Sequence, residues 1–282
     1  MNPHLLPAVV FSVLVLVPRD GVGALILSDP FDYPVGAIAG RDGGTGFSQP
    51  YSGNGQVNAG SLTYTDPDGV AYPGTGNRVS TTTSGGGMFR NISTLNRPPG
   101  TLDQNGKFGA DGSRIYIAFL ERLDSGVVTS FGDYGGISLF DGGVEHLFFG
   151  DLGFDGVHRF WGVDPQEGVG ATRDSTVLVS STVRLLIGRI DFAPGGETVR
   201  FYIDPPLASE PLTPTIGPFV VHDFRFDRVR LQGGGNGRYG FDQLAVGSSY
   251  SDVVPEPSAG AALLSGTTIA FLMRRRNAAG CA

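Results

Sequence analysis

Val183-Arg184-Leu185-Leu186-Ile187-Gly188-Arg189-Ile190-Asp191-Phe192 runs into Ala193-Pro194-Gly195-Gly196 and out into Glu197-Thr198-Val199-Arg200-Phe201-Tyr202-Ile203. Two runs rich in β-branched and aromatic residues around a Pro/Gly turn read as an antiparallel hairpin, because the turn residues supply the backbone angles that reverse the chain. The same signal continues on both sides. Upstream, Arg114-Ile115-Tyr116-Ile117-Ala118-Phe119-Leu120 is β-branched and aromatic. Period two places Ile115, Ile117 and Phe119 on one face of that strand. Short strands are expected at residues 136–140, 146–150, 159–163 and 177–179, with Gly and Asp between them. Downstream, 219–231 and 239–246 close the series around Gly233-Gly234-Gly235-Asn236-Gly237. Residues 48–113 read as loop-rich, with turn signals at Asp66-Pro67-Asp68-Gly69, Tyr72-Pro73-Gly74 and Gly85-Gly86-Gly87. No long amphipathic helix and no regular repeat is evident.

Composition agrees with an all-β body. The chain has 282 residues with 45 Gly, 19 Pro and only 17% charged residues. Glycines clustered between apolar runs are the turns of a sheet protein rather than a sign of disorder. The net charge of −7, with no basic stripe in the sequence, argues against nucleic acid as a partner and fits simple solubility. The single cysteine, Cys281, leaves the body without disulfide or thiol chemistry.

The ends read differently from the body. Residues 5–17 form an apolar core too short to span a bilayer, followed by Val22-Gly23-Ala24. This is the pattern of a secretory signal peptide over residues 1–24, although Arg19 sits late and no Lys or Arg precedes the core. At the other end, Val254-Pro255-Glu256-Pro257 should be extended, since each proline fixes φ and removes a donor. An uncharged run over 259–273 and the cluster Arg274-Arg275-Arg276 follow. The run is marginal as a spanning helix, and the arginines mark a cytoplasmic flank.

This tail resembles the PEP-CTERM sorting signal of exported bacterial proteins. The resemblance covers about residues 251–282 and rests on Val254, Pro255, Glu256, Pro257, the apolar run and Arg274, Arg275 and Arg276. It implies a short apolar helix held transiently in the inner membrane and an exosortase as partner. Cleavage near Pro-Glu-Pro would then deliver the body to the cell envelope or exopolysaccharide matrix. Two departures bear on processing efficiency: Ser265-Gly266-Thr267-Thr268 interrupts the apolar run, and six residues ending in Cys281-Ala282 follow the arginines.

The body, residues 25–250, resembles concanavalin A-like and laminin-G-like jelly rolls. The residues that carry this are Val199-Arg200-Phe201-Tyr202-Ile203-Asp204-Pro205, the closing Phe241-Asp242-Gln243-Leu244-Ala245-Val246-Gly247 and the opening Phe31-Asp32-Tyr33. The resemblance implies two stacked antiparallel sheets and frequent binding of carbohydrate or protein.

No catalytic set is read from the sequence. Glycoside hydrolysis needs two carboxylates across the scissile bond, and relatives with this architecture carry a Glu-x-Asp-x-x-Glu strand. None of Glu121, Glu145, Glu167, Glu197, Glu210 and Glu256 stands in that pattern. Asp223 and Asp227 could share a strand face, with Arg225 and Arg228 beside them as ion-pair partners. Asp242 reads as a structural hydrogen-bonding group. His146, His158 and His222 could converge on zinc only through the fold, or be structural. Asp66 and Asp68 offer a partial calcium loop or an ordinary turn. The glycine-rich stretch over residues 40–47 lacks a following helix and a Gly-Lys-Ser/Thr, so it reads as a loop. Trp161, the only tryptophan, is the candidate ligand contact, as a stacking platform for sugar; the competing reading makes it a plug of the sandwich core. The expectation is an exported, non-enzymatic surface or matrix protein with no cofactor and a polysaccharide as candidate ligand. The alternative is a glycan-active hydrolase or lyase with an unfamiliar carboxylate pair.

Overall fold

The computed structural model describes residues 23–72, 74–82, 86–125, 133–153, 159–166 and 173–254. Most of the expected signal peptide, and the expected sorting tail from Pro255 on with the short apolar helix expected there, lie outside these residues. No helix among the described residues is long and apolar enough to cross a membrane.

The first six strands are short: β1 (Leu25–Asp29), β2 (Gly36–Ala37), β3 (Ser52–Gly53), β4 (Gln56–Asn58), β5 (Tyr64–Thr65) and β6 (Ala71–Tyr72). Next come β7 (Arg78–Ser80), β8 (Gly86–Asn91), β9 (Arg114–Ser125), β10 (Gly135–Asp141), β11 (Val144–Asp151) and β12 (Phe160–Asp164). The series closes with β13 (Arg173–Leu178), β14 (Arg184–Asp191), β15 (Glu197–Ile203), β16 (Ile216–Val221), β17 (Arg228–Gly233) and β18 (Arg238–Gly247). One helical turn, α1 (Tyr250–Val253), follows.

The strands form two large antiparallel sheets. One has nine strands in the order β16-β15-β14-β9-β18-β7-β4-β2, with β1 also on β18. The other has seven, in the order β13-β12-β11-β10-β17-β8-β3. The two sheets stack over one core, where Phe149 of the smaller sheet lies against Phe201 of the larger with ring centroids 5.4 Å apart. The β14–β15 hairpin forms as read, with Asp191 opposite Thr198 and Gly196 N–H donating to Ala193 O across the turn. Gly195 there has φ of +85°, which a residue with a Cβ adopts only at a cost.

Ile115, Ile117 and Phe119 point into the common core, as their period predicts. Their neighbours Tyr116, Ala118 and Leu120 are buried too, because a second apolar cluster covers the outside of the nine-stranded sheet. Leu62, Tyr64 and Tyr72 from the β5–β6 region and Tyr250, Val253 and Val254 around α1 belong to that cover.

Two expectations are corrected. The loop-rich stretch before β9 contains the short strands β3 to β8, which complete the edges of both sheets and a small separate β5–β6 pair. The run 219–231 is not one strand: β16 ends at Val221 in the nine-stranded sheet and β17 starts at Arg228 in the other. Phe224 and Phe226, which made the run look continuous, close one end of the sandwich. Phe226 exchanges backbone hydrogen bonds with Phe108, and Phe224 meets the Phe192 ring edge-on.

Candidate functional site

The outer face of the seven-stranded sheet is built from the strand positions that alternate with the core. Met88, Leu231, Ile137, Phe149 and Val163 point inward. Their neighbours Gly87, Gln232, Gly136, Gly150 and Gly162 stand opposite one another across five strands. Four glycines in one row leave a shallow floor, and side chains from the adjoining positions lie across it. A Cβ at Gly136 would come 2.7 Å from Phe148 Cζ, and one at Gly162 would come 2.3 Å from Leu152 Cδ1. Glycine here makes room for these side chains to lie flat on the sheet.

Above this floor is a cleft of about 290 Å³ lined by Tyr134, Glu145, Phe148, Leu152, Asp164, Gln166 and Gln232. Tyr134 and Phe148 meet edge-to-face, with centroids 6.1 Å apart and planes at 78°. Glu145 is fixed through one oxygen: Gln232 Nε2 donates to its Oε1 at 2.8 Å, and Ser138 Oγ donates to the same atom. Gln232 Nε2 also lies 2.6 Å from Ser138 Oγ. Just past the end of the adjacent strand β12, Gln166 Nε2 donates to Asp164 Oδ2 at 2.7 Å. Glu145 Oε2 and Asp164 Oδ1 accept no hydrogen bond among the described residues. Burial and the negative charge of Glu145 raise the Asp164 pKa above the usual aspartate value. The cleft therefore presents two open acceptor oxygens, two amides and an aromatic pair.

The residues singled out from sequence fall elsewhere. Trp161 is fully buried in the common core, and its Nε1–H meets no acceptor among the described residues. It points inward opposite Asp151, on the side of β12 away from the cleft. The ligand-contact reading is thus corrected: period two sends Trp161 to the core and Gly162 to the surface. Asp242 is a structural group, taking Ser61 Oγ, Leu62 N–H and Gln243 N–H; burial pushes its pKa up to about 7. Asp223 pairs with Arg225, which also holds Glu197 and Asp111. Asp227 instead caps Gly142 N–H, and Arg228 donates to Asn91. Asp66 spends its carboxylate on Val70 N–H and Leu207 N–H in an ordinary turn.

His146 and His222 do converge, with Nδ1 to Nε2 at 3.1 Å; His158 lies outside the described residues. Two imidazoles fall short of a three-ligand zinc site, and no group of three His, Cys, Asp or Glu suited to a metal occurs among the described residues. Of the expected sorting motif only Val254 is described. It is extended, as expected, with φ −112° and ψ 118°. It is also buried, and its N–H donates to Tyr250 O.

No family profile and no curated protein matches the chain. Among solved structures it is similar to the globular domain of Trypanosoma cruzi calreticulin, at 13% identity and TM-score 0.44, covering 82% of this chain and 91% of that one. It is similar to a glycosyl hydrolase family 16 protein from Mycobacterium smegmatis at 13% identity and TM-score 0.41, over 79% of this chain and all of the other. Domain 4 of an extracellular arabinanase from Geobacillus stearothermophilus, in complex with arabinotriose, gives 12% identity and TM-score 0.41 over 82% and 97% of the two chains. None of these three scores reaches 0.5, and the case for function rests on the cleft's own residues.

Proposed function

We propose that this chain is an exported, non-enzymatic β-sandwich of the concanavalin A-like kind that binds polysaccharide through the outer face of its seven-stranded sheet. The observation that carries the reading is the cleft itself. Glu145 and Asp164 each offer an open oxygen beside the Tyr134–Phe148 pair. Carboxylates and amides accept and donate to sugar hydroxyls, and aromatic faces pack on the apolar side of the ring. Export and sorting by an exosortase rest on the tail residues Pro255, Glu256, Pro257 and Arg274 to Arg276 and on the leader-like residues 5–24. The buried anchor at Val253 and Val254 supports a body that ends just before that motif.

The test is calorimetric titration of the purified protein with a soluble β-glucan, an arabinan and a mannan. Wild type binds at least one of them, and Glu145→Gln with Asp164→Asn abolishes the heat. Absence of binding to all three, or binding that the double variant retains, overturns the proposal.

One observation favours a second reading, a glycan-active hydrolase: burial and the Glu145 charge favour the protonated form of Asp164, as in a general acid. Release of new reducing ends by wild type and not by Asp164→Asn would establish it. Stable polysaccharide chain length in the presence of bound protein would exclude it.

A further inference from the structure

A second cavity lies on the opposite side, on the outside of the nine-stranded sheet. It encloses about 710 Å³ between the ends of β9 and β14 and the segments 207–210 and 248–254. Its floor is a charged network whose acceptors are spent. Asp191 takes Arg114, Arg189 and Arg200. Glu210 takes Arg189 Nη1 at 2.8 Å and the hydroxyls of Tyr116 and Tyr202, each at 2.6 Å. These partners hold both carboxylates below their usual pKa values, so both are ionised at neutral pH.

The donors, in contrast, are in surplus. Three guanidinium groups face two carboxylates. Arg114 is half exposed and uses only its Nε, leaving Nη1 and Nη2 without a partner among the described residues. Next to it the Ser113 hydroxyl is buried and unpartnered. Ser209, Ser249 and Ser251 line the rim, with the Ser249 and Ser251 hydroxyls 3.1 Å apart and bonded to each other. The pocket thus has a serine rim and, at its mouth, the open guanidinium fork of Arg114, while the carboxylates beside it are already engaged.

We propose that this cavity is a second saccharide site, selective for an acidic sugar, in which the open fork of Arg114 takes the ligand carboxylate and the serine rim takes its hydroxyls. A guanidinium fork matches a carboxylate in a bidentate arrangement, and hydroxyls can donate to or accept from a polyol. The volume falls in the range of small-ligand pockets. The proposal extends the glycan reading above to another face and another sugar chemistry. A body with one site on each sheet would bridge two polysaccharide strands.

The experiment titrates full-length protein with oligogalacturonate, with a neutral oligosaccharide of equal length, and with sodium sulfate. Wild type should bind oligogalacturonate, more weakly as salt rises. Arg114→Gln should weaken this by roughly tenfold or more, the loss of a charge-assisted hydrogen bond. Ser209→Trp adds bulk at an exposed rim position where folding is not at stake, and should block the site. The same titration on Glu145→Gln/Asp164→Asn should be unchanged, so failure of the first site leaves this one testable. Equal affinity for the neutral oligosaccharide, displacement by stoichiometric sulfate, or unchanged binding in both Arg114→Gln and Ser209→Trp would overturn the proposal.

Discussion

The outer faces of the two sheets are made from the same kinds of residue and treat them in opposite ways. On the nine-stranded sheet, Arg189, Asp191, Glu210, Tyr116 and Tyr202 satisfy one another, and an apolar cover from the β5–β6 region and α1 seals the rest. On the seven-stranded sheet, a row of glycines keeps the surface low, and Glu145 and Asp164 each keep one oxygen open. The first face spends its polar groups on stability and leaves donors over at one end. The second holds its polar groups in place through one atom each and leaves acceptors over. A polar cluster therefore serves as a binding surface in proportion to the hydrogen bonds it has not already made.

The largest effect should come from a residue that belongs to neither face. Trp161→Ala removes a fully buried side chain from the shared core and should cost about 3–5 kcal/mol in urea unfolding. Trp161→Phe should keep the fold and leave saccharide affinity unchanged. A selective loss of binding in Trp161→Phe would reinstate it as a ligand contact.

Next, Arg189→Ala should destabilise by about 2–3 kcal/mol, since it leaves Asp191 and Glu210 partly buried and short of a partner. An effect below about 0.5 kcal/mol would mean that the nine-stranded face is not held by its ion pairs.

Glu145→Gln should do the reverse. Stability should stay within about 0.5 kcal/mol. Affinity for the neutral polysaccharide should fall about tenfold, or about 1.4 kcal/mol by titration. Equal losses in both quantities would erase the contrast between the faces.

The smallest effect is in the pH dependence, and its sign differs between the faces. The folded pKa of Asp164 is raised, so its contribution is full below the ordinary carboxylate range and is lost as pH rises through the folded value. The folded pKa values of Asp191 and Glu210 are lowered, so their contribution is present above that range and is lost as pH falls through theirs. Asp164→Asn should flatten the fall in stability above about pH 4 and leave the acid limb intact, read from urea midpoints across pH. A flattened acid limb in that variant would contradict the assignment.

Much of the framework was legible because it depends on local pattern. The β14–β15 hairpin carried its own turn, and Ile115, Ile117 and Phe119 declared their face by alternation. The cleft was not legible, because it depends on register. Glu145 was visible only as one of six glutamates, and Asp164, Tyr134, Phe148 and Gln232 carried no motif. What joins them is that Phe148 stands opposite Asp164, and Gln232 opposite Gly136. Alternation alone could have found part of this: Gly162 and Asp164 must share one face of β12 and Trp161 the other. The sheet switch at 222–227 was hidden for a similar reason, since Phe224 and Phe226 alternate like a strand while packing as a plug.

The most direct test of the account is hydrogen exchange of the protein with and without a saturating neutral polysaccharide. Slowed exchange across residues 134–152 and 160–166, with residues 184–203 unchanged, is the predicted result. Protection confined to residues 184–203 and 248–254 would place the neutral ligand on the wrong sheet and contradict the central claim.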